Sequence, residues 1–204
     1  MKLLYATKNT SKIYNMKNRL KDLAIDLLTP YDLDIDIAIN ENGQTAKENA
    51  IKKAEAYYLK TNLPTIAADT GLFISKLPKD KQPGLFVKRI NAKEENDEET
   101  LIQHYQNLLN SVGGNSDGYY ITGVAYIDET GVYSIEIKED PFIVTAKLNT
   151  TASHRGNFLD LMTIDPIVNK YYCELSDQEL LQVGITFETE MINFIKRYVL
   201  KQVV

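Results

Sequence analysis

Three short segments carry residue types whose spacing suits work on phosphate. In Thr7-Lys8-Asn9-Thr10-Ser11-Lys12 a polar turn runs from a short apolar strand, 2–6, straight into a helix with Ile13, Met16, Leu20 and Leu23 at helical spacing. A helix starting there leaves backbone N–H groups and the positive end of its dipole aimed at one spot. Such a spot seats an anion, and Lys12 adds a positive charge. The turn holds no glycine, so it is not a Walker loop. The plainer alternative is that Thr10 or Ser11 only caps the helix.

The second segment places Glu48 near another helix start, with Lys53 five residues on. A carboxylate there can hold Mg²⁺, which takes one or two carboxylates plus substrate phosphates. Against this, Thr45-x-x-Glu48 is a capping-box pattern that would tie Glu48 to backbone. Lys53 lies about 140° around the helix from Glu48. Lys52 shares the stripe of Glu48 and suits an ordinary surface ion pair. In the third segment, Ala67-Ala68-Asp69-Thr70-Gly71, an apolar strand ends in a carboxylate, the place where α/β folds put their sites. Asp69 there binds a metal or polarises a water, or merely caps the next segment. Asp-Thr-Gly also occurs in aspartic proteases, but the surrounding βα pattern does not suit that all-β fold.

The elements that must position these residues are set by periodicity. Strands are expected at 2–6 and at 34–39, where Ile35, Ile37 and Ile39 alternate with other residues. Helices are expected at 11–23, 46–60, 97–110 (stopped by Gly113-Gly114) and 188–202. Residues 64–74 read as a strand, then a loop near Asp69, then a second strand or the start of a helix. Strands 119–127 and 132–138 form a hairpin across Asp128-Glu129-Thr130-Gly131, and 142–147 extends that meander. The combination predicts an α/β fold, a mixed sheet with flanking helices, in a single domain spanning 1–204.

The 204 residues suffice for one sizeable core or two lobes. A net charge of −5 argues against a generic nucleic-acid binder but not against a small anionic substrate held by a few lysines. The lone Cys173 forms no intrachain disulfide, the start lacks an apolar signal core, and no run reaches the ~18 apolar residues of a membrane span. These features lead us to expect a cytoplasmic protein without membrane or nucleic-acid partners.

Taken together, the segments resemble the Ham1-like family, the inosine-triphosphate pyrophosphatases. Thr7–Lys12 looks like the family's T-x-N-x-x-K, and Glu48–Ala54 like its E-N-A-x-x-K-A. Ala68–Leu72 looks like D-D-S-G-L, Pro83–Arg89 like P-G-x-Y-S-A-R, and Asp165-Pro166-Ile167 like the end of F-G-Y-D-P-I. The resemblance implies an elongated two-lobed α/β fold, usually homodimeric, with the nucleotide in the groove between lobes. It implies Mg²⁺-dependent cleavage of deaminated purine triphosphates, such as those of inosine or xanthosine, to monophosphate and pyrophosphate. It assigns Thr7, Asn9, Lys12, Lys53 and Thr70 to the substrate, with Lys88 or Arg89 near its phosphates and Asp165 near the base. Glu48 falls to the metal, and Asp69 to the metal or the attacking water.

Three departures bear on specificity. The first acidic residue of D-D-S-G-L is Ala68, and the aromatic F-G-Y is Met162-Thr163-Ile164. Where the family carries a late Ser-His-Arg that reads the base, this chain has Ile185-Thr186-Phe187-Glu188-Thr189. A literal Ser153-His154-Arg155-Gly156 stands upstream, in place of the family's P-R-G loop. Two other readings therefore stay open: a nucleotide-binding relative with little turnover, and a hydrolase with another base preference.

Overall fold

β1 (Lys2–Tyr5) is buried almost throughout in the computed structural model, which describes residues 1–90, 97–154, 156–180 and 182–202. Side chains alternate along a strand. Leu3 and Tyr5 therefore enter one core, while Leu4 and the following Ala6 enter another. Helices cover both faces. α1 (Thr10–Leu20) packs Met16 and Leu20 on the Leu3 side. After β2 (Asp26–Leu28), α2 (Ala46–Thr61) lays Ala50, Ala54 and Tyr57 on the Leu4 side. Each large apolar side chain so buried contributes about 1.5–3 kcal/mol. β1 pairs in parallel with both β2 and β3 (Thr65–Ile74), as β-α-β connections produce.

The chain then runs through α3 (Glu98–Asn110), β4 (Asn115–Asp128), β5 (Gly131–Lys138), β6 (Phe142–Thr145) and β7 (Thr163–Asp165). It ends in β8 (Lys170–Tyr171), α4 (Asp177–Leu180) and α5 (Ile185–Phe194). Two compact units result. The first takes Met1–Thr70, Thr122–Ile137 and the stretch from Thr186 onward; its strands are β2, β1, the earlier part of β3, the later part of β4, and nearly all of β5. α5 adds Met191 and Phe194 to the core beside α1. The second takes Gly71–Ile121 and Lys138–Ile185; its antiparallel ladder runs from early β4 through β6 and β7 to β8. α3 buries Leu101, Tyr105 and Leu109 in that unit's core. The mixed α/β class and flanking helices agree with the sequence reading. Among the described residues no helix is long and apolar enough to cross a membrane.

Several local expectations need correction. Residues 34–39 form no strand; Leu33, Ile35, Ile37 and Ile39 do turn alternately inward onto the α2-side core, but no ladder joins them. The periodicity reported an extended, half-buried segment, and pairing went instead to the shorter β2. β3 does not end at Asp69. It continues to Ile74 because Leu72 and Ile74 bury in the second unit's core, and Leu72 exchanges two backbone hydrogen bonds of 2.9 Å with Gly84. Gly71 permits this approach, since a Cβ there would lie 3.2 Å from the Gly84 backbone. β6 pairs with the start of β4 rather than extending the hairpin past β5. The last helix starts at Ile185 and turns at Ile195–Val199 into a π-helical turn.

Candidate active site

Strand alternation puts Asp69 on the α2 face of β3, together with Ala67, whereas Ala68 faces the α1 side. Two residues of α2 one turn apart meet its carboxylate. Asn49 Nδ2 donates to Asp69 Oδ2 at 2.9 Å, and Lys53 Nζ stands 4.0 Å from Oδ1. Lys53 also pairs with Glu41 at 3.0 Å, and its side chain is 12% exposed. A partly buried ammonium between two carboxylates is held where an incoming phosphate would displace or join its counter-ions. α2 is steadied at both ends. Thr45 Oγ1 accepts from the Glu48 N–H at 3.1 Å, and Asn62, in the left-handed region at φ 55°, closes the last turn.

The turn before α1 is capped by Asn9, not by Thr10 or Ser11: Asn9 Oδ1 accepts from the Lys12 N–H at 3.1 Å. Thr7 Oγ1 in turn accepts from the Asn9 N–H at 3.2 Å, so Thr7 shapes the turn. Lys12 Nζ donates to the Ala68 carbonyl at 3.4 Å, which brings its charge to the residue preceding Asp69. Lys8 pairs with Asp36, and that hydrogen bond holds its ammonium pKa above the usual value. Thr70 turns to the α1 side of β3, where its hydroxyl lies 2.8 Å from that of Thr122. Thus Thr7, Asn9, Lys12, Glu48, Lys53, Asp69 and Thr70 all belong to the first unit.

The capping alternative for Glu48 holds in altered form, since its carboxylate accepts from the Gln44 N–H at 2.8 Å rather than from Thr45. Lys52 does not pair with Glu48; it donates to Asn42 Oδ1 at 2.6 Å. The first unit offers Mg²⁺ only hard oxygen donors, because both histidines and the cysteine belong to the other unit. Among the described residues no three His, Cys, Asp or Glu side chains gather as a metal cage. Mg²⁺ accepts one or two carboxylates supplemented by water and phosphate, and Asp69 supplies one. A carboxylate at position 68 would point to the opposite face of β3, so Ala68 takes nothing from the Asp69 side.

Lys88, Arg89 and Asp165 belong to the second unit. Lys88 and Arg89 are exposed, and Arg89 lines a cavity of about 540 Å³ with Phe86, His104 and Tyr105. Burial pulls the His104 pKa below its ordinary value. Asp165 is buried, and its Oδ1 accepts from the N–H groups of Ile167 and Val168 at 2.9 and 2.8 Å. His154 is held on both sides: Nδ1 accepts from the Gly156 N–H at 3.1 Å, which leaves Nε2 to donate to Glu98 at 2.9 Å. Arg155 lies outside the described residues.

Glu41, Gly43, Asn49 and Thr122 escaped the sequence reading. The i, i+4 spacing of Asn49 and Lys53 was a usable signal for Asn49. For Glu41, in an irregular segment, there was none.

A sequence model of the Ham1 family matches residues 3–159. The dITP/XTP pyrophosphatase of Leptospira interrogans is 37% identical over 136 residues, covering 66% of each chain. The chain thus spans just under two thirds of that relative. The dITP/XTP pyrophosphatase of a Thermoanaerobacter species is 29% identical over 206 residues, with 99% of this chain and 98% of the relative covered. Among solved structures, a HAM1 protein from Coxiella burnetii superposes with a TM-score of 0.74 at 22% identity, over 97% of this chain and 99% of that one. The Ham1 protein of Staphylococcus aureus gives 0.72 at 21% identity, over 95% and 98%. At such identities the structures establish the fold. With more than half its length matched by the family's sequence model, the chain belongs to the Ham1 family.

Proposed function

We propose that this protein hydrolyses nucleoside triphosphates to monophosphate and pyrophosphate, with deaminated purine triphosphates such as dITP and XTP as its preferred class. The observation that carries this reading is the Asp69 carboxylate, held by Asn49 and Lys53 on α2 while Lys12 reaches the neighbouring carbonyl. Water attacks the α-phosphorus, and the bond to the α,β-bridging oxygen breaks. Asp69 accepts a hydrogen bond from that water and aims its lone pair at phosphorus. Lys12, Lys53 and the α1 N-terminus draw the triphosphate in and balance charge that builds on the departing pyrophosphate. Glu48 and Asp69 would hold Mg²⁺, which supplies Lewis-acid stabilisation of the phosphate oxygens.

Lys12→Ala and Lys53→Ala each weaken triphosphate handling by roughly 1.5–3 kcal/mol, read as kcat/KM about 10- to 150-fold down, with circular dichroism unchanged. Neither side chain belongs to an apolar core. A variant that unfolds, yet binds normally in its folded fraction, would assign that lysine to structure.

Base discrimination should be weak. Where the family's late Ser-His-Arg would read the base, this chain has Ile185-Thr186-Phe187-Glu188-Thr189, and His154 is already held by Glu98 and Gly156. A site selects a hydrogen-bonding base by leaving the wrong one unpaired. The kcat/KM ratio of inosine to adenosine triphosphate is expected below ~1000, and a larger ratio means that other residues read the base. Assaying pyrophosphate release across deaminated and common triphosphates with Mg²⁺ tests the whole reading.

A further inference from the structure

Asn49 is 2% exposed and lies on the stripe of α2 that also carries Lys53. Its two polar atoms have different partners. The Gly43 N–H can only donate, so the atom it meets at 2.7 Å is Oδ1. That leaves Nδ2 for Asp69, whose ionised carboxylate can only accept. The loop closes on Asn49 without slack, because a Cβ at Gly43 would stand 2.6 Å from Asn49 Oδ1. The amide is thereby fixed at one end by backbone and at the other by the carboxylate. Asp69 is in turn held through Oδ2, with Oδ1 left on the Lys53 side.

We propose that Asn49 is a positioning residue for hydrolysis: by gripping Oδ2 it sets the direction in which Oδ1 of Asp69 meets the attacking water. This rests on the proposed role of Asp69 in hydrolysis. A buried asparagine with both ends satisfied ordinarily serves the fold alone. Here one partner is the very carboxylate on which the chemistry depends, and a small rotation of that group displaces the water it aims. Binding of the triphosphate draws on Lys12 and Lys53, so losing Asn49 separates turnover from affinity.

The test uses the full-length protein. In Asn49→Ala, kcat for the best triphosphate is expected to fall about 10- to 100-fold, with KM changed by less than ~3-fold. Calorimetric affinity for a non-hydrolysable α,β-imido triphosphate should likewise stay within about 3-fold of wild type. Should Asn49→Ala fail to fold, Asn49→Ser carries the same comparison with a smaller, polar side chain. The exchange Asn49→Asp with Asp69→Asn re-forms the hydrogen bond with its direction reversed. It should melt higher than Asn49→Asp alone yet remain inactive, because the carboxylate now sits on α2. A folded Asn49→Ala or Asn49→Ser enzyme with wild-type kcat overturns the proposal and leaves Asn49 a purely structural role. If that happens while Asp69→Asn is inactive, the reading of Asp69 stands and only the positioning role falls. If wild type releases no pyrophosphate, both fall.

Discussion

Asparagine in place of Asp69 lowers pyrophosphate release by at least ~100-fold, the scale expected for a carboxylate that aims a water or holds a metal. The fold should survive. The replacement amide is isosteric, its oxygen still accepts from Asn49 Nδ2, and Lys53 keeps Glu41 at 3.0 Å as a counter-ion. No neighbour on the strand can stand in, since Ala68 carries no acid and faces the other side of β3. Release of pyrophosphate from xanthosine or inosine triphosphate, measured beside circular dichroism, checks this. Turnover near wild type in a folded variant would remove Asp69 from the chemistry.

Alanine at Gly123 should be as damaging, by a different route. A Cβ there would lie 2.2 Å from the Lys47 nitrogen and 2.3 Å from the Ala46 carbonyl carbon. These are backbone atoms of the first turn of α2, so no rotamer change relieves the contact. The helix must move off β4, taking Glu48, Asn49 and Lys53 with it. Overpacking typically costs 1–3 kcal/mol, and against backbone a loss of about 3 kcal/mol or more is expected. Urea unfolding reads the stability and pyrophosphate release reads the site. Wild-type values for both would mean that α2 does not sit this close to β4.

What the sequence made legible, and what it did not, divides along physical lines. α2 was readable within a residue because Thr45-x-x-Glu48 marks its start, where Thr45 does cap the helix. The Asp128–Gly131 hairpin was readable from its turn residues. Pairing partners were not, because strand periodicity fixes which face is buried and says nothing about which backbone lies alongside. That is why 34–39 kept its predicted alternation but made no ladder, and why β6 went to early β4. For the candidate site, residue types and motif order offered Lys12, Glu48, Lys53 and Asp69, and the structure brings Lys53 to Asp69 and Lys12 to the carbonyl before it. The contacts that tune them were out of reach: Glu41 on Lys53, Asn49 on Asp69, and the Ala68 carbonyl on Lys12 are all long-range. The consequence of Ala68 was equally hidden, since only the strand's orientation shows that this position and Asp69 face opposite ways.

The most direct test of the account is the product analysis of wild-type protein with Mg²⁺ and xanthosine, deoxyinosine or adenosine triphosphate. Pyrophosphate and nucleoside monophosphate should appear one for one, with the higher kcat/KM on the deaminated purines. Orthophosphate and diphosphate as products, or nucleotide binding with no cleavage at all, would contradict it.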